Sequence, residues 1–201
     1  MMMVLGLTGS IGMGKSTAAR MFRQMGVRVY DSDASVHRLL SRGGRAVPAI
    51  EAAFPGVVED GAVNRKALGE KVFGDADALK RLESIVHPLV RRVQEEFLKR
   101  AAARRENIVV LDVPLLFETD GDEVCDAVIV ISAPRFLQRA RVLARGGMTR
   151  EKLDAVLARQ MSDQEKRRRA DFVVPSGLGR AVTLRRLKEI VTLVLRNDAV
   201  S

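Results

Sequence analysis

The residues best placed to do chemistry lie together near the N-terminus, where Gly9-Ser10-Ile11-Gly12-Met13-Gly14-Lys15-Ser16 has the glycine, lysine and hydroxyl spacing of a phosphate-binding loop. Glycines at these positions let backbone N–H groups turn inward on phosphate oxygens with no Cβ in the way. On this pattern Lys15 bridges the β- and γ-phosphates, the Ser16 hydroxyl ligates Mg²⁺ and Thr17 reaches the α-phosphate. Gly9, Gly12, Met13, Gly14, Lys15, Ser16 and Thr17 therefore form the candidate nucleotide set, with ATP and Mg²⁺ as the expected ligands. The plainer alternative is a glycine turn before a surface helix. Against it stand the apolar strand that feeds the loop and the amphipathic helix that leaves it.

Two carboxylate positions could complete such a site. Asp31-Ser32-Asp33 lies just past a second apolar strand, at the edge where doubly wound sheets place their ligands. A carboxylate there can accept the proton of an attacking hydroxyl. Any of the three residues can equally cap a helix, and both uses can coexist. Asp112 ends the apolar run Ile108–Leu111 as a Walker B carboxylate does, and could hold Mg²⁺ through water; strand-end aspartates also occur without a metal. The continuation Val113-Pro114-Leu115-Leu116-Phe117-Glu118 is too apolar for a solvent loop and is expected to line a pocket.

The elements that must position these groups can be read from periodicity. Strands are expected at Met3–Thr8, Val27–Asp31, Ile108–Asp112, Ala127–Ile131 and Phe172–Val174, most of them continuously apolar as strands buried on both faces are. Helical stripes lie between them, at Ala18, Met21, Phe22 and Met25 and again at Val90, Val93, Phe97 and Ala101. Alternating strands and helices predict an α/β fold, a doubly wound parallel five-stranded sheet.

The gap between the second and third strands is far longer than one crossover needs. Residues 35–105 read as a helical substrate-binding insertion, broken at Gly43-Gly44, Pro55-Gly56 and Asp60-Gly61. Residues 135–167 read as a small helical lid, with Arg139, Arg141, Arg145 and Arg150 flanking Gly146-Gly147. The nucleotide-binding core is then 1–34, 106–134 and 168–201. One helix carrying Leu153, Val156, Leu157 and Met161 is expected to end in Lys166-Arg167-Arg168-Arg169, read as a solvated basic face. A last helix bears Leu184, Leu187, Val191, Val194 and Leu195, with fraying after Arg196.

Composition narrows the classes. The chain of 201 residues has 47% hydrophobic and 29% charged residues, the balance of a folded domain rather than a disordered chain. Lys and Arg outnumber Asp and Glu by 34 to 25, for a formal charge of +9, which suits an anionic partner. Aromatic residues make up only 4%, with no Trp, which disfavours single-stranded nucleic acid; none is expected as a partner. Cys125 is the sole cysteine, so no intrachain disulfide can form, and a cytoplasmic setting is expected. The N-terminus reads as a strand rather than a signal segment, and no apolar run is long enough to span a bilayer. A monomer without membrane contact is the expectation.

Along nearly its whole length the chain resembles the dephospho-CoA kinase family, ATP-dependent phosphotransferases that phosphorylate the ribose 3′-hydroxyl of dephospho-CoA in the last step of coenzyme A synthesis. The resemblance rests on Leu7–Thr17, Asp31-Ser32-Asp33 with His37, His87-Pro88-Leu89-Val90 and Asp112–Glu118, followed in order by Gln138 and Arg141, Gln160 and Ala170-Asp171. It implies that Asp33 is the general base, that Arg141 approaches the transferring phosphate from the lid, and that Lys15 and Mg²⁺ neutralise charge beside it. It also implies that Thr8, His87, Arg91, Pro114, Leu115 and Glu118 lie near the acceptor, dephospho-CoA. On the residues alone, His87 reads instead as a buried, hydrogen-bonded histidine before a helix whose first residue is Pro88. The sequence departs from the family pattern at Gly146-Gly147, usually a polar residue after the lid arginine, and at Ser176, usually an asparagine near the base. Two other readings stay open: another small-molecule or nucleoside monophosphate kinase, and a nucleic-acid-binding P-loop ATPase using Lys166–Arg169 and Arg180–Arg186.

Overall fold

The computed structural model describes residues 2–198. They fold as two compact units, the first running to Tyr30 and resuming at Ala101, the second covering Asp31–Arg100.

The first unit is built on a sheet of five strands: β1 (Met3–Thr8), β2 (Arg28–Asp31), β5 (Ile108–Asp112), β6 (Ala127–Ser132) and β7 (Phe172–Pro175), in the order β2-β5-β1-β6-β7. β1 pairs in parallel with β5 on one side and β6 on the other, and β6 pairs in parallel with β7. The chain leaves β1 for one half of the sheet and later crosses to the other, so the C-terminal end of β1 is the topological switch point. The continuously apolar strands are buried on both faces, as parallel strands require; every residue of β5 is buried. Helices α1 (Lys15–Gln24) and α9 (Arg180–Asp198) cover the sheet, joining Ala18, Phe22, Leu187 and Val194 to Leu5, Leu7, Ile129 and Ile131 in one core. α9 passes the point where fraying was expected and reaches Asp198; positions 199–201 lie outside the described residues.

Gly6, inside β1, marks a close approach. A Cβ there would stand 2.7 Å from Leu116 Cδ2 and 2.9 Å from Cys125 Sγ. The missing side chain lets Leu116 and Phe117 pack beside Val128 and Val130. The segment after β5, expected to line a pocket, thus sends these two residues into the core and leaves Leu115 on the surface.

The second unit contains α2 (Ser32–Leu40), α3 (Val47–Ala53), β3 (Val58–Glu59), β4 (Ala62–Val63), α4 (Arg65–Val72) and most of α5 (Ala76–Ala103). Its core gathers Leu39, Ile50, Phe54, Val57 and Leu68 against Leu82, Val86, Leu89 and Val93. Two features differ from the helical expectation. β3 and β4 form an antiparallel hairpin, closed by Asp60 and Gly61 at φ 50° and 76°, the left-handed pair a two-residue turn needs. Pro88 does not begin a helix but sits inside the 28-residue α5. It forgoes one backbone hydrogen bond there, a loss outweighed by the apolar stripe that continues on both sides.

The stretch between β6 and β7 also differs. α6 (Arg135–Leu143) and α7 (Arg150–Arg159) form as expected, but the helix predicted to continue to Arg169 stops at Gln160, whose backbone is extended. A new helix, α8 (Asp163–Arg169), begins after Ser162, whose hydroxyl accepts from Glu165 N–H at 3.1 Å. Ser162-Asp163-Gln164-Glu165 has the spacing of a capping box, which restarts a helix instead of prolonging one.

Candidate active site

The loop that leaves β1 takes its shape from three glycines, Gly9, Gly12 and Gly14, at φ 156°, 78° and 97°. Side chains there would collide as well as strain the backbone. A Cβ on Gly9 would meet the Ile131 carbonyl oxygen at 2.6 Å, and one on Gly12 would meet Val142 Cγ2 at 2.4 Å. Gly14 caps α1, so the free N–H groups of the first helical turn face the loop interior.

Lys15 is the first residue of α1, and its Nζ reaches Asp112 Oδ1 at 2.6 Å, across from the end of β5. Both side chains are largely shielded, at 14% and 5% exposure, so the pair is held in a low-dielectric setting where each charge depends on the other. Ser16 is exposed on the same first turn, and its hydroxyl makes no hydrogen bond among the described residues. A serine hydroxyl and a strand-end carboxylate are oxygen donors of the kind a hard cation such as Mg²⁺ takes. Thr17 follows on the same turn, half-buried.

Arg141, in α6, lies over the loop. Its Nη2 donates to the Ser176 carbonyl at 2.8 Å and its Nη1 to the Ser176 hydroxyl at 3.0 Å and the Gly12 carbonyl at 3.5 Å. Ser176 thus anchors the arginine and donates its own proton to the Met13 carbonyl. Met13 is buried, and its Sδ accepts from Ala133 N–H at 3.2 Å.

A second cluster forms behind the loop. The Thr8 hydroxyl donates to the Pro114 carbonyl at 3.0 Å, and Lys166 Nζ donates to the same oxygen at 3.1 Å. Lys166 also bonds Glu118 Oε2 at 3.0 Å, while Glu118 Oε1 accepts from Met161 N–H at 2.8 Å. Lys166 is 0% exposed, which corrects its reading as part of a solvated basic face: α8 turns it inward, while Arg167, Arg168 and Arg169 stay outside. Sequence reasoning missed this lysine because its partner is a carboxylate far away in the chain. Thr8, Pro114 and Glu118 are therefore engaged with protein groups, and Leu115 is exposed beside them.

The other sequence candidates belong to the second unit. Asp31 is the cap of α2: its Oδ1 accepts from Ala34 N–H at 2.9 Å. That leaves Asp33 on the first turn, exposed and without a hydrogen bond or ion pair among the described residues. His87 and Arg91 lie four residues apart on α5, on one helical face, and both are exposed. His87 is thus neither buried nor ahead of its helix, as the residues alone suggested.

A lysine held by a strand-end aspartate below a glycine loop, at the switch point of this strand order, is the arrangement of the P-loop kinases, and the chain falls in that class. The family model described as dephospho-CoA kinase matches residues 3–178. A dephospho-CoA kinase of Paramagnetospirillum magneticum is 67% identical over 166 residues, 83% of this chain and 78% of the relative. One of Mesorhizobium japonicum is 60% identical over 178 residues, 89% of each. Among solved structures, a Thermus thermophilus protein superposes with a TM-score of 0.85 at 36% identity, covering 96% of this chain and 97% of that one. The chain belongs to the dephospho-CoA kinase family.

Proposed function

We propose that this protein transfers the γ-phosphate of ATP to the ribose 3′-hydroxyl of dephospho-CoA, giving coenzyme A and ADP. The observation that carries this reading is the family match over residues 3–178, which spans the loop, Asp33, His87 and the Pro114–Glu118 segment together.

In this reading the loop binds the triphosphate through its backbone N–H groups, and Lys15 shifts from Asp112 toward the β- and γ-phosphates. Ser16 and Asp112 would hold Mg²⁺, which would supply charge neutralisation for the polyphosphate. Asp33 orients the acceptor hydroxyl and takes its proton, a role its exposed and unpartnered carboxylate leaves open to it. His87 and Arg91 offer cationic or hydrogen-bonding groups to an anionic acceptor. Arg141 faces the loop from α6 and adds positive charge where the transferring group becomes more anionic. Placement and charge neutralisation contribute more than the base, because the transition state for phosphoryl transfer is loose. Exclusion of water by residues 135–167 suppresses ATP hydrolysis. Action in the cytoplasm belongs to the same reading; no helix among the described residues is long and apolar enough to cross a membrane.

ADP release tests the reading. Release should depend on dephospho-CoA and should not respond to AMP, CMP, adenosine or RNA at equal concentration. Release driven by AMP or CMP would favour a nucleoside monophosphate kinase, and salt-sensitive stimulation by RNA would favour a nucleic-acid-dependent ATPase.

A further inference from the structure

Successive carbonyls of the phosphate loop are held from outside by side chains. Gln138 Nε2 donates to the Ile11 carbonyl at 2.9 Å, Arg141 Nη1 to the Gly12 carbonyl at 3.5 Å, and the Ser176 hydroxyl to the Met13 carbonyl. The opposite edge of Ile11 is held too, because its N–H donates to Gln160 Oε1 at 3.1 Å. The two amide orientations follow from chemistry, since a carbonyl can be met only by Nε2 and an N–H only by Oε1.

These bonds have a directional consequence. A trans peptide is planar, with its C=O and N–H pointing opposite ways. Holding the carbonyls of Ile11 and Met13 therefore aims the N–H groups of Gly12 and Gly14 the other way. Neither N–H has a partner among the described residues. Inside the loop, Met13 N–H to the Ser10 carbonyl at 3.1 Å supplies one constraint. Glycine has the most conformational freedom to lose, so a loop with positive φ at Gly9, Gly12 and Gly14 has little intrinsic reason to wait in this shape. Gln160 is available for its bond because α7 ends there, and Gln138 lies one turn before Arg141 on α6.

We infer that Gln138, Gln160 and Ser176 are positioning residues for the nucleotide step: Gln138 and Ser176 hold the carbonyls of Ile11 and Met13 so that Gly12 and Gly14 present their N–H groups to phosphate before ATP arrives, and Gln160 fixes the preceding Ser10–Ile11 peptide from which that arrangement continues. The inference rests on ATP as the ligand of the loop and is independent of the acceptor. Pre-ordering lowers the conformational cost of binding, so its loss falls on ATP affinity.

The test uses Gln160→Met, Ser176→Ala and Gln138→Met in the full chain. ATP with excess magnesium chloride is titrated by calorimetry without an acceptor, and steady-state kinetics are measured with dephospho-CoA. Each variant should raise the ATP Kd about tenfold, the scale of one lost buried hydrogen bond. KM for ATP should rise with it, while KM for dephospho-CoA stays at the wild-type value. An unchanged ATP Kd overturns the inference. So does a rise in both KM values together with a lower unfolding temperature, which marks general structural damage. Gln138 is buried, so if Gln138→Met does not fold, the half-buried Gln160 and Ser176 decide. Failure of the acceptor assignment would look different: wild-type protein would bind ATP and leave dephospho-CoA unphosphorylated, with the Kd differences intact.

Discussion

Lys15 Nζ lies 2.6 Å from Asp112 Oδ1, so the lysine of the phosphate loop is already held by the carboxylate at the end of β5. Both groups are shielded, and each neutralises the other. In the proposed reaction Asp112→Asn should lower kcat about 100-fold or more, since it removes the carboxylate that holds Lys15 and would hold Mg²⁺, the cations that neutralise the transferring phosphate. It should also raise the Mg²⁺ concentration needed for half-maximal rate. Turnover and Mg²⁺ dependence at wild-type levels would remove Asp112 from the site.

Asp33 should behave differently from Asp112. Asp33→Asn is expected to lose most turnover while ATP affinity stays unchanged, because the exposed Asp33 carboxylate makes no bond within the described residues that the change could break. Kinetics and ATP titration on the same preparation check this. Undiminished turnover would take the general-base role away from Asp33.

Lys166 and Glu118 define a stability prediction. Lys166→Met leaves the Glu118 carboxylate facing a lost charge, and breaking a buried pair from one side costs about 3–5 kcal/mol. Lys166→Met combined with Glu118→Gln should recover part of that loss. Urea unfolding of the single and double variants measures the coupling, and simple additivity would show that the pair is not coupled.

Cys125 gives a pH prediction. Burial, with the Asp122 and Asp126 carboxylates adding to it, pushes its thiol from 9.0 up to about 12. A raised folded pKa means the contribution to stability is whole below the unfolded value and disappears as pH climbs toward the folded one. Stability should therefore fall between about pH 9 and 12, and Cys125→Ala should flatten that part of the profile. Alkylation by iodoacetamide at pH 8 should be slow in the native protein and fast in urea. Rapid native alkylation would contradict the assignment.

The sheet was legible because parallel strands buried on both faces leave continuous apolar runs; Met3–Thr8 and Ile108–Asp112 begin and end where those runs do. The loop was legible because its chemistry is local. Two misses had signals in the sequence: Asp60-Gly61 between valine-rich segments marks a hairpin, and Ser162-x-x-Glu165 marks a helix start. Pro88 misled because a breaker is locally strong, while the stripe that overrides it runs through Leu82, Val86, Leu89 and Val93. Lys166 was hidden for another reason, which also kept the bonds of Gln138 and Gln160 out of sight although both residues carry the family resemblance. Each bonds a group far away in the chain, and a single sequence carries no trace of such pairing.

In the proposed reaction the γ-phosphate of ATP ends on the ribose 3′-hydroxyl of dephospho-CoA. Incubation with ATP labelled at the γ-phosphate and dephospho-CoA, followed by separation of products and location of the label by phosphorus NMR, measures this directly. The expected product is coenzyme A carrying the label at the 3′ position, in a one-to-one ratio with ADP. Label on another hydroxyl, or ADP formed with the label released as free phosphate, would contradict it.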